Sequence, residues 1–277
     1  MLVLALDTAT PHGRFALADD GALLAYRPHN VMGSYADALL PVVDDVLAEA
    51  GRELDEVNVV AVTLGPGSFT GVRIGVATAK ALAWALAAEL AAVSTLAAMA
   101  ADLLRDDPER ELAVPVLDAR RGEVFTGIYR REGPWVAALA EPACQPPADA
   151  WQRVRDNVAD LEAPVYGGDG TALLLGQGPD LRPELRSRGE PRARAWSVAH
   201  PATARTLAVA LGSAELRETV RVSPFVLVPG YLRGSDAELK KRVDATPLTP
   251  GAVEDLRRDD EGGEGGEAGG VGPGSTR

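Results

Sequence analysis

Leu2 to Leu6 form an unbroken apolar run, the pattern of a strand buried on both faces, and the polar turn Asp7-Thr8-Ala9-Thr10 follows it. Two more apolar runs, Phe15 to Ala18 and Ala22 to Tyr26, flank Asp19-Asp20-Gly21. An Asp-Gly between such runs predicts a hairpin. The period then changes. Leu39, Val43, Val46, Leu47 and Ala50 recur at helical spacing behind Ser34 and Asp37, a variant of the capping box. A helix is expected from near Ser34 to Gly51, bent at Pro41, where a backbone donor is missing. Val57 to Leu64 reads as the next buried strand, and a second helix is expected from the glycine-rich loop behind it to about Leu90.

Strands, helix, strand and helix in this order point to a mixed sheet with helices on its faces. After Leu112 the pattern partly repeats: strands over Ala113 to Leu117 and Glu123 to Arg130, proline-rich loops, a strand over Ala163 to Tyr166, and a helix from about Pro201 to Leu216. A boundary near Asp106 and a return near Pro201 divide the chain into 1–105 with about 200–235 as one lobe, and 106–199 as a smaller one. Residues 236–258 form an extension. From Asp259 the chain is almost all Gly, Glu and Asp, so 259–277 is expected to be a disordered tail, too poor in apolar surface to offset its ordering entropy.

The formal net charge of -12 over 277 residues repels phosphate backbones, so any work on nucleic acid is expected to need a more basic partner. Cys144 is the one cysteine, which excludes an internal disulfide and suits a reducing compartment. Met1 to Asp7 lacks the basic start of a signal peptide. The longest apolar stretch, Ala81 to Val93, is broken by Glu89 and is shorter than the roughly 20 residues that span a bilayer. A cytoplasmic location away from membranes is expected.

The segment Gly65-Pro66-Gly67-Ser68-Phe69-Thr70-Gly71 lies between a buried strand and a helix. It reads equally well as an anion-binding loop with amides exposed at a helix N-terminus, or as a tight turn. It is not a P-loop, since no Lys-Ser/Thr pair follows in register. Gly167-Gly168-Asp169-Gly170-Thr171 is a second, weaker candidate for a phosphate loop. His12, His29 and His200 fall in loop-like contexts at unrelated spacings and read as surface residues, and Cys144 sits among prolines without a neighbouring His to activate it. On a wheel of the second helix Val72, Val76, Ala79, Ala83, Leu86 and Leu90 share one side, and Ile74, Ala77, Ala81, Trp84 and Ala88 the other, interrupted by Arg73, Lys80 and Glu89. A helix apolar on both faces needs cover on both: a three-layer core or a partner.

Four stretches together resemble the TsaB (YeaZ) family over roughly residues 1 to 235: Gly65 to Gly75, Leu4 to Thr10, Asp118-Ala119-Arg120-Arg121-Gly122-Glu123-Val124-Phe125, and Tyr231-Leu232-Arg233. The motif positions include Gly65, Pro66, Gly67, Ser68, Phe69, Thr70, Gly71, Asp118, Arg120 and Glu123. Two positions depart from the family pattern: Tyr35 stands where a His is usual, and Gly230 where a Val is. The resemblance implies an α/β fold of the actin-like, Hsp70-like (ASKHA) class, two lobes each with a mixed sheet flanked by helices. It implies a subunit without catalytic residues in the synthesis of N6-threonylcarbamoyladenosine at position 37 of tRNA. The implied partners are the catalytic paralogue TsaD and the ATPase TsaE, with tRNA reached only through the complex and a homodimer as the alternative in isolation.

In ATPases of this fold an acidic residue and small hydroxylated residues after the first strand hold metal and phosphates. Asp7, Thr8 and Thr10, with Gly67 and Ser68, therefore become the implied nucleotide contacts, and ATP or ADP at the complex interface the implied cofactor. The other reading of the first loop is a turn capped by Asp7. No metal is expected, because the place where TsaD carries a His-x-x-x-His pair reads Val93-Ser94-Thr95-Leu96-Ala97-Ala98-Met99. The implied partner surface comprises Leu39, Val43, Val72, Arg73, Val76, Ala77, Lys80, Ala81 and Trp84. The rival class is an autonomous actin-fold enzyme, a metallopeptidase or a small-molecule kinase.

Overall fold

The opening strand sets the architecture. In β1 (Leu2–Asp7) every residue is buried, with Leu2, Leu4 and Leu6 on one face and the smaller Val3 and Ala5 on the other. The computed structural model describes residues 1–10, 12–30, 35–159, 164–177 and 202–232. Ser34, His200, Pro201, Arg233, the extension 236–258 and the tail 259–277 lie outside the described residues, as do the side chains of Tyr35 and Asp37.

β1 pairs antiparallel with β2 (His12–Asp19), which pairs with β3 (Ala22–Asn30). On its other side β1 runs parallel to β4 (Val57–Thr63), and β4 to β5 (Glu89–Val93), giving the order β3-β2-β1-β4-β5. A second sheet, ordered β8-β7-β6-β9, contains β6 (Leu112–Arg120), β7 (Glu123–Glu132), β8 (Trp135–Gln145) and β9 (Pro164–Gly167).

The helices fall on four faces. α1 (Tyr35–Ala50) and α2 (Phe69–Ala85) pack on the large-residue face of the first sheet, where Leu4, Phe15, Leu17 and Val60 meet Leu39, Val43, Val46, Val72 and Val76. Truncating a fully buried Leu4 to Ala there costs about 2–5 kcal/mol. The small-residue face, with Val3, Ala5, Ala16 and Ala61, lets α6 (Thr203–Ala210) lie close through Ala204, Leu207 and Ala208. α3 (Thr95–Asp106) covers one face of the second sheet, and α4 (Pro147–Asn157) with α5 (Thr171–Gln177) covers the other. α7 (Ala214–Val220) follows α6.

Several expectations are corrected. The second helix stops at Ala85, Ala87 turns into the left-handed region with φ 51°, and Glu89 and Leu90 belong to β5. His12 lies in β2 and His29 in β3. The proline-rich stretch is no loop: Cys144 sits in β8, and α4 follows with Pro147 in its first turn, where a missing N–H costs nothing. The single helix expected to Leu216 is two, broken at Gly212-Ser213, where the Ser213 hydroxyl accepts from Leu216 N to cap the second.

Candidate partner surface

The loop Gly65 to Gly71 brings α2 down onto the β1–β2 turn. Ser68 N donates to Ala9 O at 2.6 Å, and Gly71 N donates to the Ser68 hydroxyl, which caps the helix. Thr8 Oγ1 donates to Gly71 O at 2.8 Å. A Cβ on Gly67 would lie 2.1 Å from Ala9 O, on Gly71 2.1 Å from Thr8 O, and on Gly75 2.1 Å from Thr8 Oγ1. The glycines thus make room for the chain's own turn.

Asp7 is 2% exposed and already surrounded. Its carboxylate accepts from Thr63 Oγ1 at 2.7 Å, from Ala9 N at 3.0 Å and from Thr203 Oγ1. Through Ala9 N it caps the turn that follows β1. Thr10 Oγ1 donates to His12 O. The second glycine loop is packed in the same way: a Cβ on Gly168 would lie 2.1 Å from Val116 O, and Gly170 N donates to that carbonyl. Asp169 accepts from Asp118 N at 2.9 Å, and desolvation against β6 pushes its carboxyl above the usual carboxylate range, with the Asp118 charge adding to the effect. In the β6–β7 turn the Asp118 carboxylate accepts from Arg120 N and Arg120 Nη1, which secures the left-handed Arg120 and Arg121. Glu123 opens β7 opposite Arg120. Among the described residues no three of His, Cys, Asp and Glu group as metal ligands.

The two faces of α2 part company. Val72, Val76, Ala79, Leu82 and Ala83 are buried against the sheet, whereas Phe69, Arg73, Ala77, Ala81 and Trp84 face outward, Trp84 with 71% exposure. Of the residues assigned to a partner surface, Leu39, Val43, Val72 and Val76 therefore belong to the core; Arg73, Ala77, Ala81 and Trp84 lie on the surface, and Lys80 is half-buried.

The outward face continues onto the segment 222–232. Val222 N donates to Leu90 O beside β5, Leu227 inserts into the core, and Gly230 N donates to Leu64 O, so the segment lies along α2. Lys80 Nζ donates to Leu227 O at 3.0 Å. At the other end the Arg73 guanidinium stacks 3.6 Å from the Phe69 ring centroid and its Nε donates to the Tyr231 hydroxyl at 2.7 Å, while the Phe69 and Tyr231 rings stand 5.2 Å apart. Phe225, at 82% exposure, Val226, Val228 and Leu232 stand out along the segment. Neither Phe69–Ala85 nor 222–232 contains a carboxylate, on a chain with 40 of them. The sequence reading missed Phe69, Phe225, Val226, Val228 and Tyr231 as surface; the signal was an apolar run, Phe225 to Val228, that fitted no helix or strand.

Large exposed apolar patches on folded chains mark interaction surfaces. The chain matches, over residues 26–164, the family model described as TsaD, tRNA N6-adenosine threonylcarbamoyltransferase. An Escherichia coli relative named tRNA threonylcarbamoyladenosine biosynthesis protein TsaB is 32% identical over 244 residues, covering 86% of this chain and 96% of the relative. The Bacillus subtilis protein of the same name is 36% identical over 130 residues, 47% of this chain and 56% of its own. The solved structure of YeaZ from Pseudomonas aeruginosa superposes with a TM-score of 0.62 at 30% identity, over 83% of this chain and 99% of that one. By sequence over nearly the whole of the Escherichia coli relative, and by its superposition on YeaZ, the chain belongs to the TsaB (YeaZ) family.

Proposed function

We propose that this chain is a non-catalytic subunit of the cytoplasmic machinery that makes threonylcarbamoyladenosine in tRNA. It pairs with a TsaD-type transferase through the outward face of α2 and the segment 222–232, and the pair recruits the ATPase TsaE. The observation that carries the reading is the exposed, carboxylate-free surface of Phe69, Ala77, Ala81, Trp84, Phe225, Val226 and Val228. Such a face gains little by facing water and much by being covered, at about 25 cal/mol per Å² of apolar area.

The chain's own chemistry supports a role without turnover. Asp7 is tied to Thr63, Thr203 and Ala9, and the amides of Ser68 and Gly71 are taken by the protein itself. Any ATP or ADP is therefore assigned to the complex interface rather than to a pocket made by Asp7, Thr8, Thr10, Gly67 and Ser68 alone. A net charge of -12 leaves the grip on tRNA to the partner.

Co-purification with the TsaD of the same organism tests the reading. Wild-type chain is expected to form a stoichiometric complex that modifies tRNA when TsaE, ATP and the threonylcarbamoyl donor are supplied, and neither subunit alone is expected to do so. Modification by the isolated chain, or failure of the two proteins to associate at micromolar concentrations, would remove the proposal.

A further inference from the structure

The first turn of α6 is gripped by two buried carboxylates that come from opposite directions. Asp7, at the end of β1 in the first sheet, accepts from Thr203 Oγ1. Asp102, on α3, is 1% exposed and accepts from four donors: Ala202 N at 2.8 Å, Thr206 Oγ1 at 2.5 Å, Arg205 Nη2 at 3.1 Å and Arg105 Nη2 at 3.3 Å. α6 packs on the first sheet and α3 on the second, so these bonds join the two sheets through their covering helices. The other end of α3 is tied to the first lobe as well. Thr95 N donates to Gly65 O at 2.7 Å, and Thr95 Oγ1 accepts from Gly65 N at 3.1 Å.

We propose that the first turn of α6, with Asp102 as its central acceptor, is a clamp that holds the two lobes at one fixed angle. A buried carboxylate released from its donors would have to be resolvated, and Asp102 holds two guanidinium groups, a hydroxyl and an amide in one place. Hinged opening would separate α3 from α6 and expose all of them at once. Arg205 adds a further tie to the first sheet, its guanidinium lying 5.9 Å from the Tyr26 ring centroid. Asp7 holds Thr203 of the same turn, so the carboxylate at the end of β1 serves as part of the joint. The two-lobed frame thus becomes a rigid platform beneath α2 rather than a cleft that opens and closes.

Distance measurement between spin labels tests this on the full chain, with Cys144→Ser and one cysteine in each lobe at the exposed positions Ala48 and Ala148. The expected result is a single narrow distance distribution, unchanged by magnesium ATP. Asp102→Ala is expected to add a second, longer population, and Thr206→Val, which removes one donor of four, to broaden the first. If Asp102→Ala does not fold, Thr206→Val and Arg205→Gln decide the matter. A broad or ATP-dependent distribution in the parent chain overturns the clamp. So does a distribution that stays narrow and unmoved in the folded variants.

Discussion

α2 and α4 occupy equivalent layers, each covering the outer face of its own sheet, and their exteriors are opposite in character. α4 buries Pro147, Ala150, Trp151 and Val154 and turns Asp149, Gln152, Arg155, Asp156 and Asn157 to solvent. α2 buries Val72, Val76, Ala79 and Ala83, yet turns Phe69, Ala77, Ala81 and Trp84 outward as well. Covering a sheet requires only the inner stripe of either helix. The outer stripe of α2 is therefore surplus to folding, and its cost in exposed apolar surface is understandable where another molecule covers it.

The largest effect expected from breaking this contrast is Val76→Glu. It places an unpaired carboxylate among Val60, Val62 and Val72, and should cost about 4 kcal/mol or more, enough to unfold a marginally stable domain, as read by urea denaturation. Next come Ala81→Glu and Trp84→Glu on the outer stripe. Each is expected to leave the unfolding midpoint in place and weaken the complex with TsaD by about 2 kcal/mol, a roughly 30-fold rise in Kd by calorimetry. If both variants bind like the parent chain, the outer stripe is not the contact. The matched change on the other helix, Gln152→Glu, should shift stability by less than about 0.5 kcal/mol and leave the affinity unmoved.

The smallest effect concerns the second glycine loop. The Asp169 carboxyl is raised by desolvation, so the folded chain holds that proton more tightly than the unfolded one. Stability from this group is present at acid pH and lost as pH rises through and above the ordinary carboxylate range. Asp169→Asn should then be slightly more stable than the parent at neutral pH, with the difference closing toward pH 4, and should bind TsaD unchanged. A constant difference across the range would mean the carboxyl is not desolvated.

Much of this was legible in residue order, and the gaps have physical causes. The unbroken apolar run Leu2 to Leu6, and the helical spacing of Leu39 to Ala50, announce β1 and α1 because burial imposes those patterns. β8 was hidden by Pro142, which an edge strand tolerates since one side of it makes no ladder bonds. The end of α2 was hidden because Ala85-Leu86-Ala87-Ala88 contains neither Gly nor Pro, and a left-handed Ala87 leaves no compositional mark. Which stripe of α2 faces out was not legible at all, since both are apolar and only the neighbours of Val76 decide it. The glycines between β4 and α2 announced close approach, but that Thr8 and Ala9 lie opposite them was not legible in residue order.

That close approach makes the elevation of α2 a property of a turn that never reaches the surface. Thr8 and Ala9 act as the shim on which the helix rests, and Gly67, Gly71 and Gly75 are the flat places cut to receive it. A single methyl at Gly71, 2.1 Å from the backbone oxygen of Thr8, must raise or tilt the helix. Trp84 and Phe69 would then stand at a new height without any exposed residue having changed. The height of that outward face is therefore set by the seating of the helix, and an inventory of its outward-facing residues would not record it.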